Sequence, residues 1–172
     1  MSTYQVVYTS KTGNTKKLAE KIYDTLNSKD KEIYSLDEGG ANADADIYFI
    51  GFWTNRGTCS MEVLDFFDNL EGKKIALFGT CGMGGQEEYF NNIKTNVSAF
   101  LPDSAEFLGA FMCQGEMPDT VGEKYHNILR EHPDDEKIKF MIDNFNHAIG
   151  HPDTEDLNHI ATFVKDIEGG VS

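Results

Sequence analysis

Basic residues are scarce in this chain: 15 Lys and Arg stand against 29 Asp and Glu, a formal net charge of −14 over 172 residues. That shortage excludes a nucleic-acid-binding surface, which needs a basic stripe, and electrostatic attachment to an anionic membrane. An acidic surface leaves two readings, steering toward basic partners or simple solubility. Cysteine is sparse as well. Cys59, Cys81 and Cys113 are odd in number and widely spaced, with no C-x-x-C pair. This argues against a disulfide framework and a zinc site; small buried hydrophobes are the better reading. No apolar run approaches the ~20 residues of a membrane span, so membrane insertion is not expected. Met-Ser-Thr-Tyr-Gln-Val lacks the basic and apolar regions of a signal peptide, and a cytoplasmic protein is the expectation. Neither G-x-x-x-x-G-K-[S/T] nor G-x-G-x-x-G occurs, which removes the Walker A loop and the dinucleotide fingerprint. There is no repeat and no low-complexity segment. One domain over 1–172 is expected from the length.

What the chain does have stands between Val6 and Ile22. An apolar β-type segment runs through Ser10, Lys11, Thr12, Gly13, Asn14 and Thr15 into an amphipathic helix. The loop offers short hydroxyl and amide donors, and Gly13 lets the backbone bend closely around a ligand. The helix that follows presents its unpaired N–H groups and the positive end of its dipole. This construction suits a phosphate. Lys11, Lys16 and Lys17 lie near it, either aiding the anion or simply solvated.

Val6, Val7, Tyr8, Ser10, Gly13, Thr15, Ala19 and Ile22 together match the N-terminal pattern of the flavodoxins, and the chain resembles that family. The resemblance implies noncovalently bound flavin mononucleotide (FMN) and a doubly wound α/β fold, a five-stranded parallel sheet of order 2-1-3-4-5. Strand-like runs at 4–9, 32–36, 46–53, 73–80 and 105–113 fit it. The third and fourth are nearly continuous apolar stretches, as strands covered on both faces are. Helical patterns alternate with them at 14–28, 60–70 and 86–99. Two further helices at 121–130 and 134–148 form an extra segment, about 116–150, ahead of a last helix at 153–168. In such sheets the ligand lies beyond the strands' C-terminal ends, where the order reverses; flavodoxin is itself the standing example of that rule.

The resemblance also implies two loops around the flavin ring. The first carries Trp53, Thr54, Asn55, Arg56 and Gly57. Trp53, the only tryptophan, falls where the family stacks an aromatic, its alternative being a core position under the loop. Gly57 falls where a peptide flips toward flavin N5, or is an ordinary turn glycine. Arg56 either raises the flavin potential or points to solvent. The second loop carries Thr80, Cys81, Gly82, Met83, Gly84 and Gly85. It lacks the outer stacking aromatic usual in the family, so that Met83, Tyr89 or a partner would cover that face. His126, His132, His147, His151 and His159 all lie in the C-terminal third. Gly150 and Pro152 interrupt the i, i+4 pair His147/His151, and surface histidines are the better reading than a metal site.

The function so implied is electron transfer: single electrons carried on FMN between a reductase and a downstream redox enzyme, by a monomer that meets basic-surfaced partners through its acidic rim. The alternative on the same fold is an FMN-dependent NAD(P)H:quinone-type reductase, an enzyme in its own right. A receiver-type signalling module is excluded, because Thr9-Ser10 and Trp53-Thr54 stand where its acidic residues would be.

Overall fold

A computed structural model describes residues 3–171. Five strands, β1 (Tyr4–Tyr8), β2 (Lys31–Ser35), β3 (Ile47–Trp53), β4 (Lys74–Cys81) and β5 (Glu106–Gln114), form one sheet of order β2-β1-β3-β4-β5. Every neighbouring pair is parallel. Among the described residues there are six helices, α1 (Asn14–Thr25), α2 (Met61–Phe67), α3 (Glu87–Ser98), α4 (Asp119–Glu131), α5 (Glu136–Ala148) and α6 (Thr154–Val171). This is the α/β flavodoxin-like arrangement expected from the sequence.

The sheet is central because β1, β3 and β4 are apolar on both faces. Val6, Val7, Phe49, Ile50, Ala76 and Leu77 are all fully buried. Side chains alternate between faces along a strand, so the two sides of the sheet build two cores. Val7, Tyr48, Ile50, Phe52, Ile75 and Leu77 pack with Val63, Phe67, Ile93 and Val97 of α2 and α3. Val6, Phe49, Ala76 and Phe78 pack with Leu18, Ala19 and Ile22 of α1 and with Ile160, Val164 and Ile167 of α6. The 18/22 and 160/164/167 spacings put each set on one helix stripe. Each such aliphatic side chain contributes about 1.5–3 kcal/mol by leaving water.

Boundaries differ from expectation where local chemistry overrides periodicity. α1 stops at Thr25, because Leu26 leaves helical geometry (φ −58°, ψ 124°) while staying buried. α2 ends at Phe67, and tight turns from Phe66 and Phe67 to Asn69 and Leu70 follow it. α5 starts at Glu136 rather than 134 because Asp135 caps it, its carboxylate accepting from Lys137 and Ile138 N–H. At the edge, β5 carries a bulge between the Ile75–Phe107 and Ala76–Gly109 pairs, with Gly109 at φ 139°.

The site follows from this layout. β1, β3 and β4 all end on the same edge, and the loops after Tyr8, Trp53 and Cys81 converge there.

Candidate functional site

Gly13 takes φ 94° and begins α1 in a left-handed conformation, with nothing within 4 Å of where a Cβ would stand. The turn brings Ser10 back over the helix start. Its Oγ accepts from Gly13 N–H (3.1 Å) and Lys16 N–H (3.2 Å), which leaves the hydroxyl proton free to donate outward. The backbone N–H groups of Lys11, Thr12, Asn14 and Thr15 find no acceptor among the described residues. No acidic residue occupies the first turn of α1. Behind the loop, the Thr9 hydroxyl is buried without a partner. Unpaired donors at the positive end of a helix dipole, with no carboxylate to satisfy them, fit a phosphate dianion.

The loop's other side chains divide. Asn14 Nδ2 donates to the Glu116 carbonyl (2.8 Å). Thr15 is 1% exposed, and its hydroxyl pairs with that of Thr80 at 3.1 Å in the interior. Thr15 therefore reaches the loop through its N–H. Lys17 Nζ donates to the Pro152 carbonyl, which ties α1 to the start of α6. Lys11 Nζ lies 5.2 Å from the Trp53 ring centroid, a cation–π contact between the loop after β1 and the end of β3.

That second loop is a tight hairpin. Asn55 and Thr58 exchange backbone hydrogen bonds (2.9 and 3.2 Å) across Arg56 at φ 52° and Gly57 at φ 82°. Two successive positive φ values make a type I′ turn. Arg56 is exposed, at the tip of the turn. Thr54 N–H donates to the Thr80 carbonyl (2.9 Å), joining the loop to β4. The Gly57 carbonyl accepts from Asn96 Nδ2 of α3 (3.1 Å). Trp53 is only half-buried, as a ring available to a ligand must be.

The third wall is the stretch after β4. Cys81 is buried, and burial raises its thiol above the ordinary range. Cys59 and Cys113 are raised for the same reason, so none of the three is poised as a nucleophile. Tyr89 lies against Cys81 and, like Met83, packs on the α2–α3 side of the sheet. Gly82 and Gly84 are forced by close neighbours: a Cβ would stand 2.8 Å from Met117 Sδ and 2.3 Å from Gln114 Oε1.

Residues beyond β5 complete the edge, and sequence reasoning missed most of them. From Gln114 the chain turns back across the strand ends. Gly115 N–H donates to the Cys81 carbonyl (2.9 Å), Met117 lies beside Gly82, and Glu116 meets Asn14. The run Gln-Gly-Glu-Met-Pro at a strand's C-terminal end was the available signal. Asn144, midway along α5, hydrogen-bonds to both Gly82 and Gly84; a single amide on a mostly polar helix carried little warning.

The histidines separate too. His151 Nδ1 donates to Asp156 (2.6 Å), and Asp153 and Asp156 cap α6 reciprocally, each accepting from the other's N–H. This His151/Asp153/Asp156 group has metal-ligand spacing, but its carboxylates are engaged in the helix cap. His147 Nδ1 is engaged at the Asp143 carbonyl of its own helix.

Among the described residues no helix is long and apolar enough to cross a membrane. A family model, the flavodoxin domain, matches residues 5–165. Two curated relatives are described as flavodoxin-like domain-containing protein BilS. The one from Clostridioides difficile (strain CD3) is 34% identical over 166 residues, covering 94% of each chain. The one from Clostridium symbiosum (strain WAL-14163) is 36% identical over 171 residues, covering 90% of each. A solved flavodoxin from Streptococcus pneumonia TIGR4 superposes with TM-score 0.62 at 17% identity, over 99% of this chain and 100% of that one; it shares the fold. The family pattern at 6–22, the sheet order and these matches agree: the chain belongs to the flavodoxin family, whose cofactor is FMN.

Proposed function

We propose that this protein binds FMN noncovalently and carries single electrons between a reductase and a downstream redox enzyme. The observation that carries the reading is the cradle of unpaired N–H groups of Lys11, Thr12, Asn14 and Thr15, on the sheet edge where the loops after Trp53 and Cys81 also converge. Ser10 and Thr12 hydroxyls and the N–H groups of Lys11, Thr12, Asn14 and Thr15 hold the phosphate, with Gly13 making the turn that gathers them. Trp53 stacks on the ring, with Lys11 swinging off its face. Thr54, Asn55 and Gly57 border one edge of the ring, and Thr80, Cys81 and Gly82 the other. FMN supplies the redox chemistry, since it accepts electrons singly or in pairs.

The chain's own task is to bind, orient and shield. No side chain at the site is placed as a nucleophile: the three thiols are buried. The net charge of −14 favours encounter with basic partner proteins, more at low than at high salt. A cytoplasmic monomer suits that role. A cleft of about 330 Å³ beside Gly84–Gln86, lined also by Phe140 and His147, favours a second reading, an FMN-dependent NAD(P)H:quinone-type reductase with its own small-molecule acceptor.

An anaerobic reductive titration of the FMN-loaded protein separates the two. A long-wavelength absorption band at half reduction, with NAD(P)H alone inert, supports the carrier. Direct bleaching by NAD(P)H in one two-electron step overturns it in favour of the enzyme. Failure of FMN to bind overturns both.

A further inference from the structure

Helix α5, between β5 and α6, hydrogen-bonds to the loop after β4 through the Asn144 side chain. Asn144 of α5 accepts the Gly84 N–H at Oδ1 (3.0 Å) and donates from Nδ2 to the Gly82 carbonyl (3.0 Å). Gln114 Nε2 donates to the same Gly82 carbonyl (2.9 Å) and to Asn144 Oδ1 (3.1 Å). One amide thus grips two peptide groups of the loop, one on each side of Met83, and a second amide holds the first in orientation. A side-chain amide carries a donor and an acceptor in a fixed plane, so it can engage both groups as a neighbouring strand would. All four bonds are partly shielded from water. Gly84 has room for this approach only as glycine, because a Cβ would stand 2.3 Å from Gln114 Oε1.

We propose that Asn144 and Gln114 are positioning residues that set the Gly82–Gly84 backbone against the flavin ring. The α4–α5 hairpin is then the support that carries Asn144 to the loop. The proposal rests on the FMN reading above. In it, the loop after β4 is too glycine-rich to hold its own shape, and its N–H and C=O groups are useful to the ring only if their directions are fixed before binding. The phosphate cradle, by contrast, is built from Ser10 and α1 and owes nothing to Asn144.

The test uses the full-length protein and three probes: FMN, lumiflavin (the ring without the phosphate chain) and inorganic phosphate. Asn144→Ala removes two hydrogen bonds to the loop and is expected to weaken FMN and lumiflavin by the same factor, about 5- to 100-fold. Inorganic phosphate affinity stays unchanged, and in the flavin-free protein the Gly84 amide exchanges faster with deuterium. Asn144→Asp keeps the acceptor for Gly84 N–H and loses the donor to Gly82; it preserves Gly84 protection while still weakening the ring. That variant serves if the alanine form does not fold. Equal loss for inorganic phosphate would mean a general structural role and would overturn the proposal, as would wild-type lumiflavin affinity in both variants. If the wild-type protein binds neither flavin, the functional reading fails and the ring-positioning role with it. If the wild type binds and the variants match it, only the present inference fails.

Discussion

Thr15 and Thr80 offer a measurable case of two polar groups that are stable only together. Their hydroxyls are 3.1 Å apart, in side chains 1% and 4% exposed, between the start of α1 and the end of β4. Thr15→Val keeps the shape and removes one hydroxyl, which leaves the Thr80 hydroxyl buried without its partner. An orphaned buried hydroxyl costs about 1–3 kcal/mol, and the same holds for Thr80→Val. In a domain of this size each single variant should lower Tm by roughly 2–12 °C. The double Val variant has no orphan and buries two extra methyl groups. Its loss should be smaller than either single loss, so the singles are strongly non-additive. Urea unfolding of the flavin-free protein measures all three, with an unchanged dependence on urea confirming that the same surface is exposed. Neutral single variants, or a double variant equal to the sum of the singles, would refute the pairing. Titrating FMN into Thr15→Val then tells whether this hydroxyl also serves the phosphate. A role through the backbone N–H alone predicts affinity unchanged within a factor of about two.

Trp53 is the only tryptophan, so intrinsic fluorescence reads the site directly. Stacking predicts strong quenching as FMN is added, and Trp53→Phe should weaken binding about 2- to 10-fold; undiminished fluorescence at saturation would rule the stacking out. Asp153 is held below the ordinary carboxylate range, chiefly by the Asp156 backbone N–H it accepts. Folding therefore keeps it charged to lower pH than the unfolded chain does. The stability it contributes is fully present above about pH 4 and is lost as pH falls through its folded value. Asp153→Asn should flatten the acid limb of the stability–pH profile, and a curve parallel to the wild type below pH 4 would count against the cap.

Legibility tracked burial. The apolar runs 46–53 and 73–80 became β3 (Ile47–Trp53) and β4 (Lys74–Cys81) almost unchanged, because a strand covered on both faces needs apolar residues at every position. Strand order came from the family pattern at 6–22, since period alone does not say which strands are neighbours. The turn through Ser10, Gly13 and Asn14 was legible because strand, turn and helix start are contiguous in sequence. Distant pairs were not. Asn144 and Gly82 are 62 residues apart, and Asn96 and Gly57 are 39 apart, so no window of sequence contains both partners. Arg56 at φ 52° ran against turn chemistry, which favours Asn, Asp or Gly there.

The return of the chain from Gln114 across the strand ends has a consequence for the order in which the protein can become functional. Asn14 meets Glu116 across 102 residues, and Glu116 N–H in turn meets the His151 carbonyl (2.7 Å). A nascent chain emerges N-terminus first, so the phosphate loop leaves the ribosome long before the residues that enclose it. Until the segment beyond β5 has emerged, the cofactor edge lacks one of its walls. On the proposed FMN reading, a chain ended before that segment is expected to hold the flavin ring less tightly than the full chain does.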